Sequence, residues 1–258
     1  MTDRSHLQIA VITGGTSGIG LATAHRLLCR NYRVAVFSQR RENVEAARDE
    51  LAKEFGTERV FARPVDLAVP AQIEDFFIEL GAKWGSPQAL VCNAGVSPKG
   101  RDGATPFNQI RLTEWNEVLA VNLTGAMLCC QAVGPAMMER GFGRIVLIGS
   151  VAARARPKIA GASYVASKAA LSGLTRSLVS AYAAFGITVN LVAPGRILTN
   201  MAGEPNTPAN RAVLAAIPAG RLGQPDDVAA VVEFLISREA GFVNGAVVDV
   251  NGGEFLPL

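Results

Sequence analysis

The sequence predicts a doubly wound α/β fold, a parallel sheet covered by helices on both faces, and three observations carry that prediction. Apolar runs of strand length alternate with longer segments of helical period along all 258 residues, the pattern of repeated βαβ units. The strand runs are apolar almost throughout rather than alternating, so both sheet faces need a cover of helices. No linker rich in Pro, Gly or Ser divides the chain, and one domain of this size is ordinary. Residues 1–258 are therefore expected to form a single domain.

Seven strands are expected, near Ile9–Thr13, Arg33–Ser38, Val60–Pro64, Ala89–Asn93, Arg144–Ser150, Thr188–Ala193 and Ala246–Val250. Helices are expected around Ile19–Cys29, Glu42–Phe55, Ala71–Lys83, Thr113–Arg140, Ser163–Phe185 and Asp226–Ser237. Two irregular stretches, Ser97–Leu112 and Pro194–Pro208, follow strand C-terminal ends, where ligands bind in open α/β sheets. They read as substrate loops, the second reaching to about residue 217.

Composition narrows the function. A net charge of +3, with acids and bases interleaved, gives no electrostatic footprint for nucleic acid or an anionic membrane. An aromatic content of 6% offers few surfaces for stacking bases. No hydrophobic run is expected to reach membrane-spanning length, and no signal peptide is read before the first strand. Cys29, Cys92, Cys129 and Cys130 lack paired metal-ligand spacing and read as reduced core thiols in a cytoplasmic protein. The two histidines, His6 in the N-terminal stretch and His25 within the first helix, do not follow strands, so neither a serine-hydrolase triad nor a zinc site is indicated.

A glycine-rich turn, Thr13-Gly14-Gly15-Thr16-Ser17-Gly18-Ile19-Gly20, joins the first strand to the first helix. That context is what the Rossmann dinucleotide fingerprint requires. Gly14 permits the tight turn, Gly18 removes a side chain where a pyrophosphate approaches, and Gly20 lets helix and strand pack closely. At the end of the second strand an acid would bond the ribose 2′-hydroxyl of NAD. Ser38-Gln39-Arg40-Arg41 offers none, and two arginines at a helix start oppose the helix dipole unless a 2′-phosphate meets them. NADP is therefore favoured over NAD. Asp66, followed by Leu67, faces either the adenine amino group or its own turn. Asn93-Ala94-Gly95 brings small residues to the cofactor, with Asn93 able to tie neighbouring strands.

Far downstream stands Tyr164-Val165-Ala166-Ser167-Lys168, with Tyr164 and Lys168 four apart on one helix face. A free phenol titrates at about 10, so it serves as a proton donor and acceptor near neutrality only if a cation lowers its pKa. Lys168 and an oxidised nicotinamide are expected to do so.

These motifs together, with Asn122, Ser150, Pro194-Gly195, Thr199 and the tail from Arg221-Leu222-Gly223 to Asn251-Gly252-Gly253, resemble the classical short-chain dehydrogenase/reductase family over essentially the whole chain. The resemblance implies hydride transfer between a nicotinamide and a small ketone or secondary alcohol. It implies Tyr164 as proton donor, Ser150 on the substrate oxygen and Lys168 on the nicotinamide ribose. Asn122 resembles the residue that holds a relay water beneath the lysine, and Ile197 and Thr199 are expected against the carboxamide. It also implies a homotetramer built through the helices that carry Ala132, Ala136, Ala169, Leu171, Leu178 and Val179.

Members of the family that reduce 3-oxoacyl groups on acyl carrier protein need basic docking residues, and the corresponding positions fall at Pro135 and Phe185. That weakens this alternative. A dinucleotide-sensing regulatory protein is a second alternative, disfavoured because such proteins typically lose the tyrosine or lysine. Lys99 and Arg101, with Arg154, Arg156 and Lys158 after Ser150, raise the expectation of an anionic or polyhydroxy carbonyl substrate, against ordinary solvated loop charges.

Overall fold

The computed structural model describes residues 7–100, 103–157, 159–204 and 206–257; His6, Arg101 and Lys158 lie outside them. Seven strands form one sheet: β1 (Ile9–Thr13), β2 (Arg33–Ser38), β3 (Val60–Pro64), β4 (Ala89–Cys92), β5 (Gly143–Ile148), β6 (Ile187–Pro194) and β7 (Val247–Val250). Their order is β3-β2-β1-β4-β5-β6-β7, and every neighbouring pair is parallel. The strand order reverses between β1 and β4, which opens a crevice at their C-terminal ends.

Successive strand residues point to opposite faces, and both faces are buried. Ile9 and Val11 join a core with Phe76, Cys130, Met137 and Leu171, from helices α3 (Pro70–Trp84), α5 (Gly125–Arg140) and α6 (Ala162–Tyr182). Ala10 and Ile12 join the opposite core with Leu27, Leu51 and Val232, from α1 (Gly18–Cys29), α2 (Arg41–Phe55) and α8 (Pro225–Ile236). This double burial explains why the strands are apolar without alternation.

Several expectations are corrected. The stretch read as one helix over Thr113–Arg140 is α4 (Leu112–Leu119), a π turn at Ala120–Thr124, and α5. The run Leu112–Arg140 also has the length of a membrane span and holds an 18-residue window of mean hydropathy 1.5, contrary to expectation; in this fold Cys129, Cys130, Val133 and Met137 pack it into the core. A further helix, α7 (Pro208–Leu214), lies within the second loop region. Thr207 caps it through its hydroxyl, and Pro208 occupies a position where a missing N–H costs nothing. β5 ends at Ile148 rather than Ser150, and α6 ends in a 3-10 turn, Ala183–Phe185. Cys29 is exposed at the end of α1, unlike the three buried thiols. Leu171 belongs to the core, whereas Ala132 and Ala169 are exposed.

Candidate active site

A cleft of about 550 Å³ runs across the C-terminal edge of the sheet. One wall is the β1–α1 turn, with Gly14, Thr16, Ser17, Gly18 and Ile19 on its surface. Gly14 has φ +63°, a conformation that glycine adopts without steric cost, and its N–H donates to Phe37 O at 2.8 Å. Gly20 lies behind the wall, where an added Cβ would stand 2.3 Å from Gly14 O. A Cβ on Gly18 would stand 2.9 Å from Thr199 Cγ2 across the cleft. The first N–H groups of α1 have no intrahelical acceptors, Ser17 makes no side-chain cap, and the first turn holds no acid. The backbone cradle and its positive helix end suit a phosphate group, so these residues fit a dinucleotide.

Thr16 Oγ1 donates to Ser38 Oγ at 3.0 Å, tying this turn to the end of β2. Arg40 precedes α2 and lines the cleft. Arg41 does not border it: its guanidinium lies 3.9 Å from Glu45 one turn along the helix. The two arginines expected to act together are thus separated by the helix start itself, which directs adjacent residues to different faces. Asp66 lines the cleft while serving its turn, accepting from Ala68 N at 2.9 Å and from Gln39 Nε2 at 2.8 Å. Leu67 lines the cleft beside it. Asn93 Nδ2 donates to Thr13 O and Gly14 O, both at 3.0 Å. The N–H groups of Asn93 and Ala94 donate to Thr13 Oγ1, so this segment spans the switch point as expected.

The cleft also gathers Ser150, Tyr164, Lys168, Pro194, Gly195, Ile197 and Thr199. Ser150 caps a 3-10 turn (Val151–Ala153), its hydroxyl accepting from Ala152 N at 3.2 Å. Lys168 is 4% exposed and donates from Nζ to Ile148 O at 2.8 Å. Burial pulls its pKa down to about 8, because an ammonium loses hydration there. Burial likewise pushes the Tyr164 phenol above its ordinary value, while a Ser150 hydrogen bond and the positive charge of Arg196 oppose the rise. Desolvation outweighs the groups that lower the Tyr164 phenol, and Lys168 Nζ stands 5.9 Å from the centre of the Tyr164 ring.

Asn122 is 1% exposed and acts from behind the cleft. Its Oδ1 accepts from Val96 N at 2.7 Å, and its Nδ2 donates to Val96 O and Ser167 Oγ at 3.0 and 2.9 Å. A Cβ on Gly95 would meet Lys168 Nζ at 3.1 Å and Asn122 Oδ1 at 3.4 Å, so lysine and amide converge on this glycine. Arg154 does not line the cleft: it pairs with Asp249, and its guanidinium stands 5.1 Å from the Phe255 ring centre. Arg156 and Lys99 line the cleft. Arg196, unnoticed in the sequence although it sits within the Pro194–Thr199 run, lines it too. Its residue type and position were legible; its direction was not.

The family model described as enoyl-(acyl carrier protein) reductase matches residues 14–254. Acetoacetyl-CoA reductase of Shinella zoogloeoides is 36% identical, over 96% of this chain and 98% of its own. The 3-oxoacyl-[acyl-carrier-protein] reductase of Escherichia coli (strain K12) is 35% identical, with the same coverage. The crystal structure of levodione reductase superposes with a TM-score of 0.89 at 30% identity, covering 96% of this chain and 97% of that one. Fold, cleft and likeness agree along the whole length, and the chain belongs to the short-chain dehydrogenase/reductase family, NAD(P)(H)-using oxidoreductases of carbonyl and hydroxyl groups.

Proposed function

We propose that the protein is an NADP-preferring reductase, or reversible dehydrogenase, of small ketones and secondary alcohols. The observation that carries this reading is the meeting of Ser150, Tyr164 and Lys168 in the same cleft as the glycine turn. The bound dinucleotide supplies hydride in reduction and accepts it in oxidation. Burial keeps the Tyr164 phenol protonated, ready to give that proton to the substrate oxygen as negative charge develops there. The Ser150 hydroxyl donates to the same oxygen and stabilises the charge. The Lys168 ammonium favours the phenolate left behind, and Asn122 positions the lysine's surroundings through Val96 and Ser167. In oxidation the proton returns along the same atoms.

Arg40 at the head of α2, with no acid at the end of β2, supports NADP through its match to a 2′-phosphate. A cytoplasmic homotetramer is part of the proposal, supported by family resemblance and by Ala132 and Ala169 exposed on α5 and α6. The names of two relatives favour a second reading, reduction of 3-oxoacyl thioesters. Pro135 and Phe185, both exposed, give an acidic carrier protein no cation at these positions.

NADPH and NADH oxidation across 3-oxoacyl thioesters, neutral ketones, keto acids and sugar-derived ketones tests the reading. Turnover confined to the thioesters replaces it with the second. Tyr164→Phe is expected to lower turnover at least 1,000-fold, roughly the upper part of the range for general acid catalysis, while retaining NADPH affinity. Unchanged turnover removes Tyr164 from the proton transfer.

A further inference from the structure

The substrate end of the cleft carries charge that hydride and proton transfer do not use. Lys99, Arg156 and Arg196 line it, and Glu254 is the acid among them. Arg196 is built into this position. Its backbone O accepts from Gly223 N at 3.0 Å, and Leu198 N donates to Gly223 O at 2.8 Å, which clamps the chain on either side of Ile197. Its Nε donates to Asn210 Oδ1 at 2.7 Å and its Nη2 to Ala202 O at 2.8 Å.

Asn210 is fully buried, and its own amide is anchored on Ala202 O and Glu204 O at 3.2 and 2.6 Å. A buried, fully engaged amide thus orients one guanidinium at the cleft. These bonds engage Nε and Nη2 of the guanidinium, and Arg196 lines the cleft. Lys99 approaches the same loop, its Nζ reaching Met201 O at 3.5 Å, the far limit of a hydrogen bond. Each cation is disfavoured by its setting, Lys99 by partial desolvation and by the charge of Arg196, Arg196 by burial with relief from Glu254. The Arg196 charge also reaches the Tyr164 phenol, so this cation lies within electrostatic range of the reacting oxygen.

We propose that Arg196 and Lys99 form an anion subsite, and that the substrate is a carbonyl compound bearing a carboxylate or phosphate a few bonds from the reacting carbon. The inference rests on the carbonyl reductase reading above and deepens it. A guanidinium held in one orientation loses little freedom on binding and presents its fork to a planar or tetrahedral oxyanion. An anion between the two cations relieves their repulsion. Arg156, exposed at the rim, adds attraction without fixed geometry.

The test uses the NADPH complex titrated with 3-hydroxybutyrate against its methyl ester, and with glycerol 3-phosphate against glycerol. Alcohol and reduced cofactor do not react, so affinity is read without turnover. At least one anion is expected to bind tenfold or more tightly than its neutral partner, with the preference shrinking as salt is raised; the better pair identifies carboxylate or phosphate. Arg196→Met is expected to bring the anion-to-neutral ratio close to one, and Lys99→Met to reduce it several-fold. A purely structural arginine would weaken both members of a pair and leave the ratio intact.

Equal affinities, no binding of either anion, or a preference that survives both substitutions would overturn the subsite. Should Arg196→Met fail to fold, Lys99→Met, on an exposed side chain, reads the same ratio. A protein that reduces neutral ketones through Tyr164 but shows no anion preference keeps the proposed function and loses the subsite. A protein that does not bind NADPH contradicts the proposed function, and titration of the protein alone still reads the subsite.

Discussion

Lys168 is held at a cost to the fold. Its pKa is about 8 in the folded chain against about 10.4 in an unfolded one. Below pH 8 both states hold the proton and the folded state bears the whole cost of the buried ammonium. As pH rises from about 8 to about 10.4 the unfolded state binds more protons, so stability rises across that window. The gap corresponds to about 3 kcal/mol, reduced in a substitution by the loss of the bond to Ile148 O. Lys168→Met is therefore expected to stabilise the cofactor-free protein by about 1–3 kcal/mol at pH 7 while abolishing turnover, the trade common at functional sites. Denaturant melts at pH 7 and pH 10.5 check both the gain and its disappearance. At the adenosine end, Arg40→Asp is expected to weaken NADPH roughly 10–100-fold, the worth of a charge-assisted bond, and to improve NADH. Arg41→Ala, whose guanidinium faces Glu45, serves as the control and should change the NADPH-to-NADH ratio less than about twofold, as for an exposed pair. Specificity constants for the two cofactors decide this.

The β1–α1 unit depends on a backbone contact that no side chain can enter. A Cβ on Gly20 would stand 2.3 Å from Gly14 O and 2.5 Å from Asn93 Nδ2. Gly20→Ala is expected to cost about 1–3 kcal/mol as overpacking and to weaken NADPH by moving the cradle; a thermal melt and a cofactor titration read the two effects separately. This constraint was legible, because strand, glycine turn and helix are contiguous. The start of α8 was legible for the same reason, with Pro225 at its head and Asp227 Oδ2 accepting from Gln224 N at 2.7 Å. The π turn at Ala120–Thr124 was not. Its residues keep a helical pattern, and what accompanies the extra residue is the pull of Val96 on the Asn122 side chain, 26 positions away.

Across the whole molecule, contacts distant in sequence close the two faces of the sheet. Arg26 of α1 bonds Asp226 at 2.5 Å and Glu233 at 2.8 Å, and Arg30 adds Glu233 at 2.5 Å, clamping α1 against α8. The opposite face carries α5 and α6, whose exposed Ala132 and Ala169 allow the close helix approach that the proposed tetramer needs. Light scattering after size exclusion is expected to give four times the 27.1 kDa chain mass; a monomer at every concentration would refute this assembly.

The sequence by itself determined the parallel sheet, the helices on both faces, the glycine turn and the Tyr164–Lys168 pair. Each of these is written in the periodicity or spacing of neighbouring residues, which the chain keeps whatever surrounds it. Tertiary structure alone decided which charges serve the cleft. Arg154 went to Asp249, 95 positions away, Arg41 to the flank of α2, and Arg196 to the cleft on the support of Asn210. It also decided how far Tyr164 is desolvated, which raises its phenol above the ordinary value. Side-chain direction and desolvation arise from groups brought together by the finished fold, so the local pattern of residues does not contain them.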